Sequence, residues 1–125
     1  MAENYFEAAR RHYVDSNQLA KNNRWGNAAH LIGFAAECAI KHRISTLSPT
    51  NSTTHGHFPD LLATARKHLS SRRDTTLHAV LKKVDLMNGW NVNLRYEADV
   101  VVGAEEFKSW HADAKRLYAA SGFTS

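Results

Sequence analysis

Apolar positions along this chain recur three and four residues apart, a spacing that predicts helices almost throughout. Tyr5, Phe6, Ala9, Tyr13 and Leu19 mark a first helix over 3–20, with charged residues between them. Asn22-Asn23 breaks it, and Asn23 suits the N-cap of the next. The second helix runs from about Arg24 to Thr46 and is apolar on most of its circumference. Its widest apolar arc passes through Ala28, Leu31, Ile32, Ala35, Ala36 and Ala39, and such a helix must be covered on more than one side. Opposite lies a narrow polar stripe. At about 100° per residue, His30, Glu37 and Lys41 fall within about 20° of one line, with Phe34 beside it. A polar loop follows over 47–57. A third helix starts near Phe58, with Pro59 in its first turn and Leu61, Leu62, Ala65 and Leu69 as its apolar face. Asp74 or Thr75 caps a fourth through Asn88, where Asn88-Gly89 stops it. Residues 89–103 read as an ordered connection over the bundle, anchored by Trp90 and Tyr96. The last helix spans Ala104 to Ala120, and 121–125 form a frayed tail. This is an all-α pattern, a four- to five-helix up-and-down bundle.

Composition narrows the class without changing the fold. A chain of 125 residues makes one domain over 1–125, large enough for a core and too small for two. The net charge of +4, with eight histidines in reserve, makes a polyanionic partner plausible. The single cysteine, Cys38, excludes an internal disulfide and fits a reducing cytoplasm. Met-Ala-Glu-Asn-Tyr carries no signal-peptide pattern, and no apolar run is long enough to cross a membrane. A cytoplasmic protein with no membrane partner is expected.

Candidate chemistry is sparse. His55-Gly56-His57 invites a zinc reading, but no His-Glu-x-x-His or paired Glu-x-x-His accompanies it, so no metal and no cofactor are expected. No nucleophile elbow and no Gly-rich phosphate loop occur. Metal-independent RNA cleavage needs less: a histidine to move the proton and an arginine for the phosphorane charge. Arg followed five to seven residues later by His occurs at Arg24…His30, Arg72…His78 and Arg73…His78, and Arg73 to His78 spans a loop-to-helix junction. Glu37 and Lys41 are spaced i,i+4 in the favourable order, as a surface pair or as part of a site in which Lys41 holds phosphate and Glu37 orients Arg95 or His30. Arg95 lies in the 89–103 connection, either pinning it to Glu37 or facing a ligand.

Three stretches together resemble the HEPN superfamily (higher eukaryotes and prokaryotes nucleotide-binding) over about residues 5–120. They are His30-Leu-Ile-Gly-Phe-Ala-Ala-Glu-Cys-Ala-Ile-Lys41, His55-Gly-His57 leading into Leu61-Leu62, and Trp90-Asn-Val-Asn-Leu-Arg-Tyr96. The likeness is to small bacterial stand-alone members. It implies a helical bundle, often a homodimer with a cleft at the two-fold axis. It also implies an RNA- or nucleotide-binding protein of a toxin–antitoxin or phage-defence system, in some members a metal-independent ribonuclease. Active members carry Arg-x4-6-His at the start of a late helix. This chain departs from that: Arg95 is followed by no histidine until His111, and the Arg73…His78 match begins the fourth predicted helix. The catalytic candidates are therefore Arg95 or Arg73 with His78, His57 or His30, and the binding candidates are His30, Glu37, Lys41, His57, Trp90 and Tyr96. The alternative is a catalytically silent module that partners a nucleotidyltransferase or larger effector. A small-ligand-binding bundle has only the polar stripe in its favour.

Overall fold

A computed structural model describes residues 4–47, 56–68, 75–83, 85–91, 93 and 102–123. Five α-helices and no strand occur among them: α1 Tyr5–Lys21, α2 Trp25–Leu47, α3 Asp60–His68, α4 Thr75–Leu81 and α5 Ala104–Ala120. The all-α bundle is as the apolar spacing predicts. The Asn4 side chain caps α1, accepting from the Glu7 N–H at 3.0 Å, a contact of the kind typically worth about 1 kcal/mol.

Helix α2 is the centre, packed between α1 and α5 and touching α3. Ala28, Ala29, Ile32, Ala35, Ala36, Ala39, Ile40 and Ile44 are fully buried, so the apolar circumference is covered as its sequence requires. The pairings set the directions. Ser16 Oγ donates to the Ala28 carbonyl at 2.6 Å, His12 meets Phe34 at 5.8 Å and Phe6 meets His42 at 5.3 Å. Helix α1 is thus antiparallel to α2. Trp25 meets Phe107 and His42 meets Phe123, so α5 runs parallel to α2, with the short α3 and α4 lying between them in the chain.

Three local expectations need correction. Asn23 is not an N-cap. It takes a left-handed φ of 59° and closes α1, where Asn23 N–H bonds to the Ala20 carbonyl and Arg24 N–H to the Leu19 carbonyl. The first carbonyl of the next helix is that of Arg24, which accepts from Ala28. The tail is not frayed up to Phe123: the same closure recurs at Gly122 (φ 98°), and Phe123 stacks on Tyr118 with ring centroids 4.7 Å apart.

The fourth helix ends at Leu81, not Asn88. Buried Asp113 on α5 takes the Met87 N–H at 2.9 Å and the Lys83 ammonium at 2.7 Å, and Met87 adopts φ 55°. Arg66 donates to the Leu81 and Lys83 carbonyls at 2.7 and 3.3 Å. These bonds replace helical ones. They fold 85–89 into turns that bury Leu86 and Met87 and deliver Trp90 to the core. Of the connection 89–103, residues 92 and 94–101 lie outside the described residues. No helix among the described residues is long and apolar enough to cross a membrane.

Two histidines are built into aromatic contacts between helices. His42 lies against Phe6 and Phe123; His111 lies against Tyr13 and Phe107 and bonds Asn17 Oδ1 at 2.9 Å. Burial lowers the pKa of both, helped by Arg43 beside His42 and Lys115 beside His111. The unfolded chain therefore binds these protons before the folded one. Their effect on stability is nil well above pH ~6.5 and destabilising as pH falls below it. Imidazole proton resonances in an NMR titration should show both midpoints below ~6.5; midpoints at or above it would contradict the packing.

Candidate functional site

The polar stripe of α2 does not face bulk solvent. It forms one wall of an open groove of about 590 Å³ between α1, α2 and the turn before α3. His30, Phe34, Glu37, Cys38 and Lys41 come from α2, Tyr5, Arg11 and His12 from α1, and His57 from the turn. Helix periodicity explains both walls. On α2 the stripe residues lie three, four or seven apart, and on α1 Tyr5, Ala8 and His12 do the same.

Glu37 is the anchor, with only 1% of its surface exposed. One carboxylate oxygen is 2.9 Å from His57 Nδ1, and the other accepts the Phe58 N–H at 2.7 Å. The Leu61 N–H bonds to the His57 carbonyl at 2.9 Å, so the helical pattern of α3 begins at this turn. Glu37 thus satisfies a backbone donor at the start of α3 and fixes an imidazole on the groove wall. Burial raises the Glu37 pKa, while the bonds from His57 and Phe58 and the nearby Lys41 charge pull it down. Glu37 and Lys41 are therefore not an exposed surface pair: Lys41 is only 9% exposed, and its ammonium stands 5.6 Å from the Tyr5 ring centroid. Among the described residues no carboxylate lies within ion-pair distance of it.

Phe34 gathers the imidazoles. His30 meets its ring edge-on at 4.5 Å, and His12 and His57 approach it at 5.8 and 5.9 Å. Burial, then the Arg11 charge, lowers the His12 pKa, so this ring is held toward its neutral form. Despite this density of imidazole, no three His, Cys, Asp or Glu side chains among the described residues come together as a metal-binding group.

Of the residues singled out in the sequence, the groove unites His30, Glu37, Lys41 and His57. Trp90 is not on its walls. It is a core residue, 2% exposed, donating its indole N–H to the Ala29 carbonyl at 2.8 Å and packing edge-on to Phe34 and Phe58. His78 lines a different cavity, with Arg66, Leu81 and Lys82. Arg73, Arg95 and Tyr96 lie outside the described residues, as does His55. Sequence reading missed His12, Arg11 and Tyr5, whose shared face on α1 was masked by the charges around them.

The fold and groove define an all-α bundle with an imidazole- and cation-lined cleft on one side of its central helix. No protein-family model, curated protein or solved structure matches the chain.

Proposed function

We propose that this is a HEPN-like protein that binds RNA or a nucleotide through its phosphates in the α1–α2 groove. One observation carries the reading: the Lys41 ammonium has no carboxylate within ion-pair distance among the described residues and opens onto the same groove as Arg11, His12, His30 and His57. A largely buried cation with no carboxylate in ion-pair contact is costly unless an anion visits it. Phosphate is the anion that such a mix of ammonium, guanidinium and imidazole suits. Tyr5 and Phe34 add ring surface on which a base can stack. The net charge of +4 favours the encounter. Binding of a short single-stranded RNA, followed by fluorescence anisotropy, should weaken as salt rises, since phosphate neutralisation releases counterions. No binding at low salt would overturn the reading. The HEPN resemblance further implies a homodimer and a defence or toxin–antitoxin setting.

A second reading, metal-independent RNA cleavage, is favoured by the Glu37–His57 contact. A buried carboxylate orienting a half-exposed imidazole is a common arrangement for a general acid or base. His57 would then replace His78 as the proton-transfer residue, acting on the 2′-hydroxyl or the leaving oxygen. Cleavage of single-stranded RNA in EDTA, lost in His57→Ala, is the expected result. An intact substrate with wild-type protein would leave the groove a binding site only.

A further inference from the structure

We propose that anion binding in this groove is coupled to uptake of one proton by the His57–Glu37 pair, so that the groove holds RNA more tightly as pH falls. The inference rests on the binding function proposed above and adds its regulation.

An imidazole has two nitrogens, and Nδ1 of His57 is committed to Glu37 Oε1 at 2.9 Å. Nε2 is the nitrogen left for the groove, and the side chain is 45% exposed there. With a single proton shared by the pair, that proton occupies the hydrogen bond between Nδ1 and the carboxylate. Nε2 then carries only a lone pair, which repels a phosphate oxygen. A phosphate is received well only by an Nε2–H donor. Creating that donor while keeping the Glu37 contact requires a second proton on the pair, whichever of its two groups holds the first. The carboxylate behind the ring favours this doubly protonated state, and so does the anion in front of it. The charge-assisted bonds on both faces form together.

The surroundings set how strongly the protonated state is favoured. Facing the pair are Lys41 and His30 from α2 and Arg11, His12 and Glu7 from α1. Lys41 and Arg11 are cations, His30 and His12 can become so, and Glu7 carries the opposite charge. A bound phosphate adds negative charge in front of the ring, opposite the carboxylate behind it. The pair therefore takes its second proton more readily with the ligand than without it. By linkage the ligand must then bind more tightly at lower pH. Tyr5 and Cys38 also line the groove; an ordinary phenol ionises near pH ~10 and an ordinary thiol near ~8.5, both above the range concerned.

The test is calorimetric titration with an oligouridylate lacking a terminal phosphate, because a phosphate monoester ionises near pH ~6 and adds its own proton. Buffers of different ionisation enthalpy report the protons taken up. Wild-type protein should take up close to one more proton per RNA than His57→Gln. Its affinity should also fall more steeply as pH rises from 6 to 8, approaching about tenfold per unit where the free pair holds only its single proton. Glu37→Gln should likewise lose the extra proton, and its circular dichroism shows whether the helices survive. His12→Asn should keep the difference. Equal proton uptake by wild type and His57→Gln, with RNA still bound, overturns this proposal alone. Absence of binding at every pH overturns the binding function as well.

Discussion

Adding one methyl group at position 33 is expected to destabilise the protein by about 1–3 kcal/mol or more, as overpacking of a filled core does. Gly33 lies in the middle of α2, where glycine is ordinarily a poor choice. Alanine there would favour the helix by about 0.8–1 kcal/mol. Trp90 is the reason for the glycine. A Cβ at position 33 would fall 1.9 Å from the indole Cε2 and 2.1 Å from Cζ2. The indole cannot step aside, because its N–H is bonded to the Ala29 carbonyl and its faces meet Phe34 and Phe58. Trp90→Ala should itself cost about 3–5 kcal/mol, a large part of the total stability of a small domain. The two effects must not add. In the Trp90→Ala background, Gly33→Ala should become neutral or stabilising, because the clash is gone and the helix preference remains. Urea midpoints of the four proteins check this, and equal Gly33→Ala effects in both backgrounds would refute the close approach.

The second large effect concerns Lys41. Lys41→Met keeps an unbranched stem of similar length and removes the charge. A charge-assisted bond is typically worth about 1.5–3 kcal/mol. The variant should therefore bind single-stranded RNA about 10- to 100-fold more weakly at low salt. Its salt dependence should flatten by about 0.7 in the log–log slope, the share of one phosphate contact on a single strand. Stability should hold or rise, because the ammonium is buried without a carboxylate within ion-pair distance among the described residues. Unchanged affinity with a lowered midpoint would mean that Lys41 serves the fold through Tyr5 and not a ligand.

The helices were legible in the sequence where burial follows a simple period. The bounds of α1, α2 and α5 agree with the apolar spacing to within a residue or two, since a long amphipathic or all-round apolar run has few other ways to bury itself. The fourth helix was misread for a physical reason. Met87 continues the helical spacing of Leu77, Val80, Leu81 and Val84, yet it is buried in a turn with Leu86 because Asp113, 26 residues further on, captures the Met87 N–H. No local preference encodes that bond. The polar stripe His30, Glu37 and Lys41 was legible as geometry, and the groove uses it. Its partner was not, because the contact between Glu37 and His57 spans 20 residues and depends on how the loop returns. His12 could have been found: with Tyr5 and Ala8 it makes a second stripe at helical spacing on α1. The resemblance drew notice to Trp90 as a ligand contact, whereas buried indole with a satisfied N–H is a packing residue.

The groove's role is tested most directly by chemical-shift mapping of the ¹⁵N-labelled protein during titration with a short oligouridylate at low salt. Amide shifts should cluster on the groove wall of α1 around Tyr5 and His12, on α2 from His30 to Lys41, and at Gly56 and His57. Shifts confined to the α3–α4 side around Arg66 and His78, or none at saturating RNA, would contradict a nucleic-acid site in the α1–α2 groove.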